Sequence, residues 1–228
     1  MARDEVFQIR HDDFPAVGGD GGRALAVVNR MGMQVVVDFL DQIILSGFGY
    51  HHQIGTEDAG VASTTSIDDQ LAWMVVDQNA GYAMVPLLLE VNLGVAAGGT
   101  LVMTMLELDK QKNRYSSGGT AQTPENLNGE DAQSFNGSGY VGTDVATAAK
   151  SAVPDSIELA RKEWLENALA DTIGYPMASN PVVYSAKNRP LAVVHDAGSL
   201  VVHHGATTAD VTGYGVIQFA QFANSALK

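Results

Sequence analysis

The sequence predicts a mainly β protein, an antiparallel β-sandwich with one α-helix and one long loop. Short runs of β-branched and other apolar residues recur along the chain between glycine-containing turns, which is the pattern of many short strands. In residues 82–93 apolar side chains alternate with Glu90 and Asn92, as in a strand with one buried and one wetter face. Residues 155–173 instead repeat their apolar side chains at helical spacing.

Length and composition are those of one globular domain. The chain has 228 residues, of which 46% are hydrophobic and 17% are charged, and an all-β sandwich of this length commonly forms a single unit. The low charge leaves two interpretations open. Either copies of the chain or partners cover much of the surface, or the exposed face consists of uncharged polar residues.

The net charge excludes some partners. It is −13 at neutral pH, and such a field repels phosphate backbones and anionic membrane surfaces. No run approaches about 18 apolar residues and no apolar signal segment opens the chain, so we expect neither nucleic-acid nor membrane binding. Because the chain has no cysteine, disulfides, thiolate metal sites and a cysteine nucleophile are excluded.

The N-terminal residues 1–23 are predicted to form a flexible arm. They end in a glycine-rich cluster at residues 18–22, a composition that disfavours packed structure. Residues 24–228 are then one sandwich domain. Its predicted strands cover residues 24–28, 33–38, 39–45, 71–76, 82–93, 101–108, 182–184, 191–195, 200–204 and 214–222. The glycines between residues 82–93 and 101–108 predict that these two strands pair antiparallel.

Residues 109–151 are predicted to form a long inserted loop. They are rich in glycine, serine and asparagine and contain few large apolar residues. A loop of about 40 residues is usually functional or disordered. Three interpretations therefore stay open: a loop that binds a partner, an arm that contacts neighbouring subunits in a lattice, and a mobile insertion. Its aromatic residues Tyr115, Phe135 and Tyr140 are the candidate contacts with a partner or a glycan.

Residues 155–173 form the predicted helix. Pro154 precedes the segment, and Asp155 and Glu158 have the spacing of a capping box. Gly174 follows in the position of a C-cap. The apolar stripe of this segment includes Trp164, which we expect to pack against the sandwich.

Six histidines are the candidate metal ligands. Two adjacent pairs, His51-His52 and His203-His204, lie at or near the ends of predicted strands, and neighbouring side chains on a strand point to opposite faces. One pair therefore cannot hold one ion through both rings, and the His-x-His spacing of a strand-borne site is absent from the sequence. The sequence predicts no metal centre.

Other catalytic patterns are also missing from the sequence. Acid pairs at residues 12–13, 57–58 and 68–69 lie in polar loops, where solvated carboxylates are common, although calcium at one of them stays open. The glycines at residues 18–22 lack the Gly-Lys-Ser/Thr of a phosphate loop, and no Gly-x-Ser-x-Gly elbow occurs. We therefore expect no catalytic residue and no cofactor.

Two segments carry a resemblance to a known family. Residues 72–76, Ala-Trp-Met-Val-Val, and residues 80–87, which contain a glycine turn and Val-Pro-Leu, form one strand–turn–strand unit. Residues 199–205, Ser-Leu-Val-Val-His-His-Gly, and residues 212–219 resemble a closing hairpin. Together these segments resemble jelly-roll structural proteins of tailed-phage virions, of the capsid, decoration or spike type.

The resemblance implies a jelly-roll-like sandwich of eight strands that assembles as a trimer or into a shell and resides in the virion. The chain would be a non-enzymatic capsid or decoration protein whose partners are further copies of itself and other virion proteins. A helix as long as residues 155–173 is not a standard part of a jelly roll. Two alternatives stay open: a carbohydrate- or receptor-binding β-sandwich module, and a cupin-like metalloenzyme that uses His51, His195 and His203.

Overall fold

The computed structural model describes most of the chain after residue 42. The described residues are 43–64, 70–93, 101–110, 112–129, 133–149, 152, 155–165, 181–188, 191–206 and 211–227. The expected N-terminal arm and the strands expected at residues 24–28 and 33–38 lie outside them. The strand expected at residues 39–45 is wrong over residues 43–45, which are helical; its other residues lie outside the described part. No helix in this described part of the chain is both long enough and apolar enough to cross a membrane.

Strands dominate the described residues, which confirms the prediction of a mainly β protein. They are β1 (Gly49–Ile54), β2 (Val61–Ala62), β3 (Leu71–Gln78), β4 (Tyr82–Leu93), β5 (Leu101–Lys110), β6 (Tyr115–Ser117), β7 (Thr120–Ala121), β8 (Glu125–Asn126), β9 (Gly137–Thr147), β10 (Asp155–Leu165), β11 (Val182–Ser185), β12 (Val194–His195), β13 (Gly198–Ala206) and β14 (Thr212–Ala223). A short 3₁₀ helix, Asn224–Leu227, follows the last strand.

The strands form two antiparallel sheets. Sheet I has the order β11-β4-β14-β1-β8, with β12 paired to β4 and β2 paired to β14. Sheet II has the order β10-β5-β13-β3-β9-β6, with β7 paired to β9. The expected antiparallel pairing of residues 82–93 with residues 101–108 is wrong, because β4 belongs to sheet I and β5 to sheet II. The chain crosses between the sheets at this point instead of turning back within one. The closing hairpin expected from residues 199–205 and 212–219 is wrong for the same reason, because β13 belongs to sheet II and β14 to sheet I.

The strand order is that of a jelly roll. When β1, β3, β4, β5, β10, β11, β13 and β14 are counted as strands one to eight, sheet I reads 1-8-3-6 and sheet II reads 2-7-4-5. Strands β6 to β9 are then an insertion between the fourth and fifth strands. The jelly-roll-like sandwich expected from the sequence is therefore present, with an extension of sheet II beside β3.

The helix predicted at residues 155–173 is wrong over Asp155–Leu165, which form β10, the edge strand paired with β5. Ala160 and Trp164, two of the expected stripe residues, are four positions apart, and this spacing places side chains on one face of a strand as well as of a helix. A bulge between Glu158 and Ala160 shifts the register. The backbone bonds to β5 override the local helical signal. Residues 166–173 lie outside the described residues.

The long loop predicted at residues 109–151 is also wrong for much of its length. We call residues 112–149, described except for 130–132, the insertion; it contains β6 to β9. Two of its glycines permit close backbone approach. A Cβ atom at Gly137 would lie 2.1 Å from the backbone oxygen of Asp77, and one at Gly139 would lie 2.5 Å from that of Gln122.

The hydrophobic core lies between the two sheets. Trp73 of β3 is fully buried there and packs in one cluster with residues from both sheets. Other members of this cluster are Met84, Leu89, Leu106, Leu108, Leu200, Val202, Ile217 and Phe219. Because side chains alternate along a strand, the residues between these on β5 and β13 point to the outer face of sheet II. They include Glu107, Asp109, Ser199, Val201 and His203.

Candidate functional site

Tyr115 and Tyr140 come together on the outer face of sheet II. They lie on the neighbouring strands β6 and β9, and their rings stack with centroids 3.4 Å apart and planes 1° apart. Both are half-buried and pack against a small apolar cluster that includes Val75 and Val145. The Tyr115 hydroxyl donates a hydrogen bond to the backbone oxygen of Gly118, at 3.0 Å. The pair therefore covers part of the outer face of sheet II.

Phe135, the third aromatic candidate, is not brought to this pair. Its ring meets Tyr50 at a centroid distance of 5.5 Å and Phe219 at 5.4 Å, both in edge-on geometry. Tyr50 and Phe219 belong to the central core cluster. Phe135 therefore attaches the insertion to the core, and the tyrosines attach it to the outer face of sheet II.

Two histidines lie inside the sandwich. Nδ1 of His204 is 2.8 Å from Oγ1 of Thr104, and the His204 ring packs against Trp73 with centroids 4.4 Å apart. Burial lowers the pKa of His204 to about 3. Burial likewise lowers the pKa of His52 to about 4, although its contact with the backbone oxygen of Tyr140 acts in the opposite direction. Both rings are therefore neutral at pH 7.

The three histidines of the cupin-like alternative do not converge. His51 points out of sheet I, since its neighbours Tyr50 and His52 are buried, and its Nε2 lies 3.5 Å from Oε2 of Glu125. His195 is exposed on β12, and His203 is buried at the outer face of sheet II. Within the described residues, no group of three or more histidines, aspartates and glutamates is placed to hold a metal ion. The geometry gives the metalloenzyme alternative no support.

Of the three acid pairs, one is described by the structure. Glu57 and Asp58 are exposed in the turn between β1 and β2, as expected for solvated carboxylates. Residues 12–13 and 68–69 lie outside the described residues.

A buried charge cluster, which the sequence analysis missed, lies on the outer face of sheet II. Arg114 is fully buried, and its Nη1 donates to Oδ2 of Asp109 at 2.8 Å and to Oε2 of Glu107 at 3.2 Å. Nε2 of His203 also approaches Oε2 of Glu107, at 3.4 Å. The available sequence signal was the presence of acids at alternate positions, Glu107 and Asp109, in an otherwise apolar strand. Buried carboxylates of this kind require a cation or a proton.

A third carboxyl, that of Asp77, is bound into the same cluster. The Ser199 hydroxyl donates to Oδ1 of Asp77 at 2.5 Å, and the backbone N–H of Arg114 donates to the Ser199 oxygen at 2.8 Å and to Asp77 at 3.3 Å. Burial raises the pKa of Asp77 above its usual value, and the hydrogen bonds from Ser199 and from the backbone N–H groups of Arg114 and Tyr115 oppose that shift. The contacts described for this cluster are all with residues of the chain itself, while Oδ1 of Asp109 and Nε2 of His203 are buried and form no hydrogen bond within the described residues. The cluster joins the insertion to sheet II.

An open cleft lies beside the insertion. It has a volume of about 630 Å³ and separates the corner between β1 and β2 from the strands β7 and β9. Its lining residues are Gln53, Ile54, Gly55, Thr56, Ala59, Val61, Thr120, Gln122, Val141, Gly142, Thr143 and Asp144. The size is that of a small-ligand site.

Comparisons with protein-family models, with curated proteins and with solved structures find no match. The fold and this geometry define a jelly-roll protein with a β insertion that is bound to sheet II and to the core.

Proposed function

We propose that the protein is a non-enzymatic structural protein of a bacteriophage virion, a capsid or decoration protein that self-assembles through its β-sandwich. The observation that carries this proposal is the strand order 1-8-3-6 and 2-7-4-5. The jelly roll is a common fold of virus capsid subunits, which tile a shell through the edges and loops of the sandwich.

The edge of sheet II supports the assembly role. Strand β10 lies at this edge, with the exposed apolar side chain of Ile157, 41% exposed, on it and Leu101, 38% exposed, on the adjoining β5. An edge strand offers backbone donors and acceptors for pairing with another chain.

The fastened insertion supports the same role. The charge cluster and the tyrosine pair hold it against the outer face of sheet II, and Phe135 holds it to the core. A surface held in one conformation loses little entropy when a neighbour binds. The insertion is therefore suited to form a subunit contact or to project from a shell.

Self-assembly of the purified chain tests the proposal. We expect sedimentation at micromolar concentration to give trimers or larger particles, and negative-stain electron microscopy to show rings, trimers or shells. The assembly should occur without nucleic acid, since the net charge of −13 opposes its binding. A monomer at every concentration, with no particle formed alone or with the other virion proteins, would contradict the proposal.

A further inference from the structure

The cleft beside the insertion has two walls of uncharged polar side chains. Gln53 and Thr56 stand on the wall formed by the β1–β2 corner, and Thr120, Gln122 and Thr143 stand on the wall formed by β7 and β9. The volume of about 630 Å³ falls within the range of ligand pockets, roughly 300–1,000 Å³. The cleft thus offers room for one or two small rings.

The two walls differ in their remaining hydrogen-bonding capacity. On the first wall, Nε2 of Gln53 donates to the backbone oxygen of Gly55 at 2.8 Å, and Oγ1 of Thr56 accepts from the N–H of Ala59 at 3.1 Å. On the second wall, the side chains of Thr120 and Thr143 are exposed and that of Gln122 is half-buried. Their hydroxyl and amide groups are therefore open to a ligand.

The charge of the lining narrows the ligand class. No lysine, arginine or histidine occurs among the described residues that line the cleft, so a phosphate or carboxylate would find no countercharge. Asp144 is the charged residue of this set, and its Oδ1 already accepts from the N–H of Gly119 at 3.2 Å. The half-buried Val61 and Val141 also line the cleft and suit the C–H faces of a sugar ring. We propose that the cleft binds a neutral saccharide.

The wall formed by β7 and β9 is held in place before any ligand arrives. Gly118, Gly119 and Gly142 adopt positive φ angles of 77°, 65° and 146°, which let the chain turn closely beneath Asp144. A Cβ atom at Gly118 would lie 2.1 Å from the backbone oxygen of Asp144. A wall fixed in this way lowers the entropy lost when a weakly bound sugar is captured. The site requires no second copy of the chain, so it goes beyond the assembly role.

Titration of the full-length, isotope-labelled chain with neutral sugars tests the site. The probes are glucose, galactose, mannose and N-acetylglucosamine with their common disaccharides, and the readout is the backbone amide chemical shift. We expect at least one probe to give saturable shifts centred on Thr120, Gln122 and Thr143. Thr120→Ala and Gln122→Ala should each weaken its Kd by about two- to tenfold, the value of one hydrogen bond. Thr123→Ala, an exposed position outside the cleft, is the matched control and should leave the Kd unchanged.

The Asp144→Asn variant separates a neutral from a cationic ligand. A sugar should bind this variant nearly as well as the native chain, because the amide oxygen can still accept from Gly119. Calcium chloride and spermidine serve as cationic probes. Saturable shifts at the cleft with these probes alone, abolished by Asp144→Asn, would overturn the proposal. The proposal would equally be overturned if no sugar gave saturable shifts. It would also be overturned if Thr120→Ala and Gln122→Ala, with native-like thermal unfolding, left the Kd unchanged.

Discussion

Arg114 and Ala148 close the base of the insertion through reciprocal hydrogen bonds. Nε of Arg114 donates to the backbone oxygen of Ala148 at 2.5 Å, and the N–H of Ala148 donates to the backbone oxygen of Arg114 at 2.8 Å. Arg114 directly precedes β6 and Ala148 directly follows β9. The insertion therefore begins and ends at one point, and the same guanidinium binds Glu107 and Asp109 of β5. One side chain thus joins the insertion to the jelly roll.

Removal of the Arg114 guanidinium should destabilise the protein strongly. Arg114→Met keeps much of the side-chain volume but leaves Glu107 and Asp109 buried without their cation. Breaking a buried ion pair from one side costs about 3–5 kcal/mol, so we expect a loss of that size in the free energy of unfolding, measured by urea denaturation. The control is Arg161→Met, because Arg161 pairs with Glu158 in solvent and such a pair contributes at most about 1 kcal/mol. Equal losses of unfolding free energy in the two variants would show that Arg114 does not hold the insertion to β5.

The sequence predicts the strands better than it predicts the insertion, and the reason lies in the range of the contacts. The alternation of apolar and polar side chains within β4 is a local signal, and it correctly predicted a strand of the sandwich. The partners of Arg114 include Ser199, which is 85 positions away along the chain, and the stacked tyrosines are 25 positions apart by their numbers. No periodicity encodes such pairs. The error at β10 was local, because Ala160 and Trp164 fit a helix and a strand equally well.

Gly137 should not tolerate a side chain. Its missing Cβ permits the backbone of β9 to approach Asp77, and an added methyl group would lie 2.1 Å from the Asp77 backbone oxygen. We expect Gly137→Ala to lower the free energy of unfolding by about 1–3 kcal/mol, the usual effect of overpacking. Gly129→Ala is the control, since a Cβ there meets no atom within 4 Å, and it should be neutral or stabilising by up to about 1 kcal/mol. Calorimetric unfolding of both variants measures the difference.

The buried histidines should make the protein sensitive to acid. The folded-state pKa of His204, about 3, lies below its unfolded value near 6.5. A lowered pKa means that the unfolded chain binds the proton first, so the stability contributed by the neutral ring is complete above pH 6.5 and is lost as the pH falls toward 3. His52 acts in the same direction down to about pH 4.

The pH slope of unfolding in urea, measured from pH 7 to pH 4, tests this assignment. His204→Gln removes the titrating ring while keeping a polar group beside Thr104, and it should flatten the slope whatever its effect on absolute stability. His195→Gln, at an exposed position, serves as the control and should leave the slope unchanged. An identical slope in the native chain and in His204→Gln would refute a neutral buried His204.

The edge of sheet II should be a contact between copies of the chain. Ile157 is 41% exposed on the edge strand β10, and full burial of an isoleucine contributes about 1.5–3 kcal/mol, or roughly a 10- to 150-fold change in the association constant. Ile157→Lys places a charge at this edge, and we expect sedimentation velocity to show dissociation at concentrations where the native chain is assembled. The matched control is Leu191→Lys, which adds the same charge at a residue 50% exposed outside β10 and should leave assembly intact. Unchanged assembly of Ile157→Lys would exclude the β10 edge as the contact, and loss of assembly in both variants would indicate a general effect of charge.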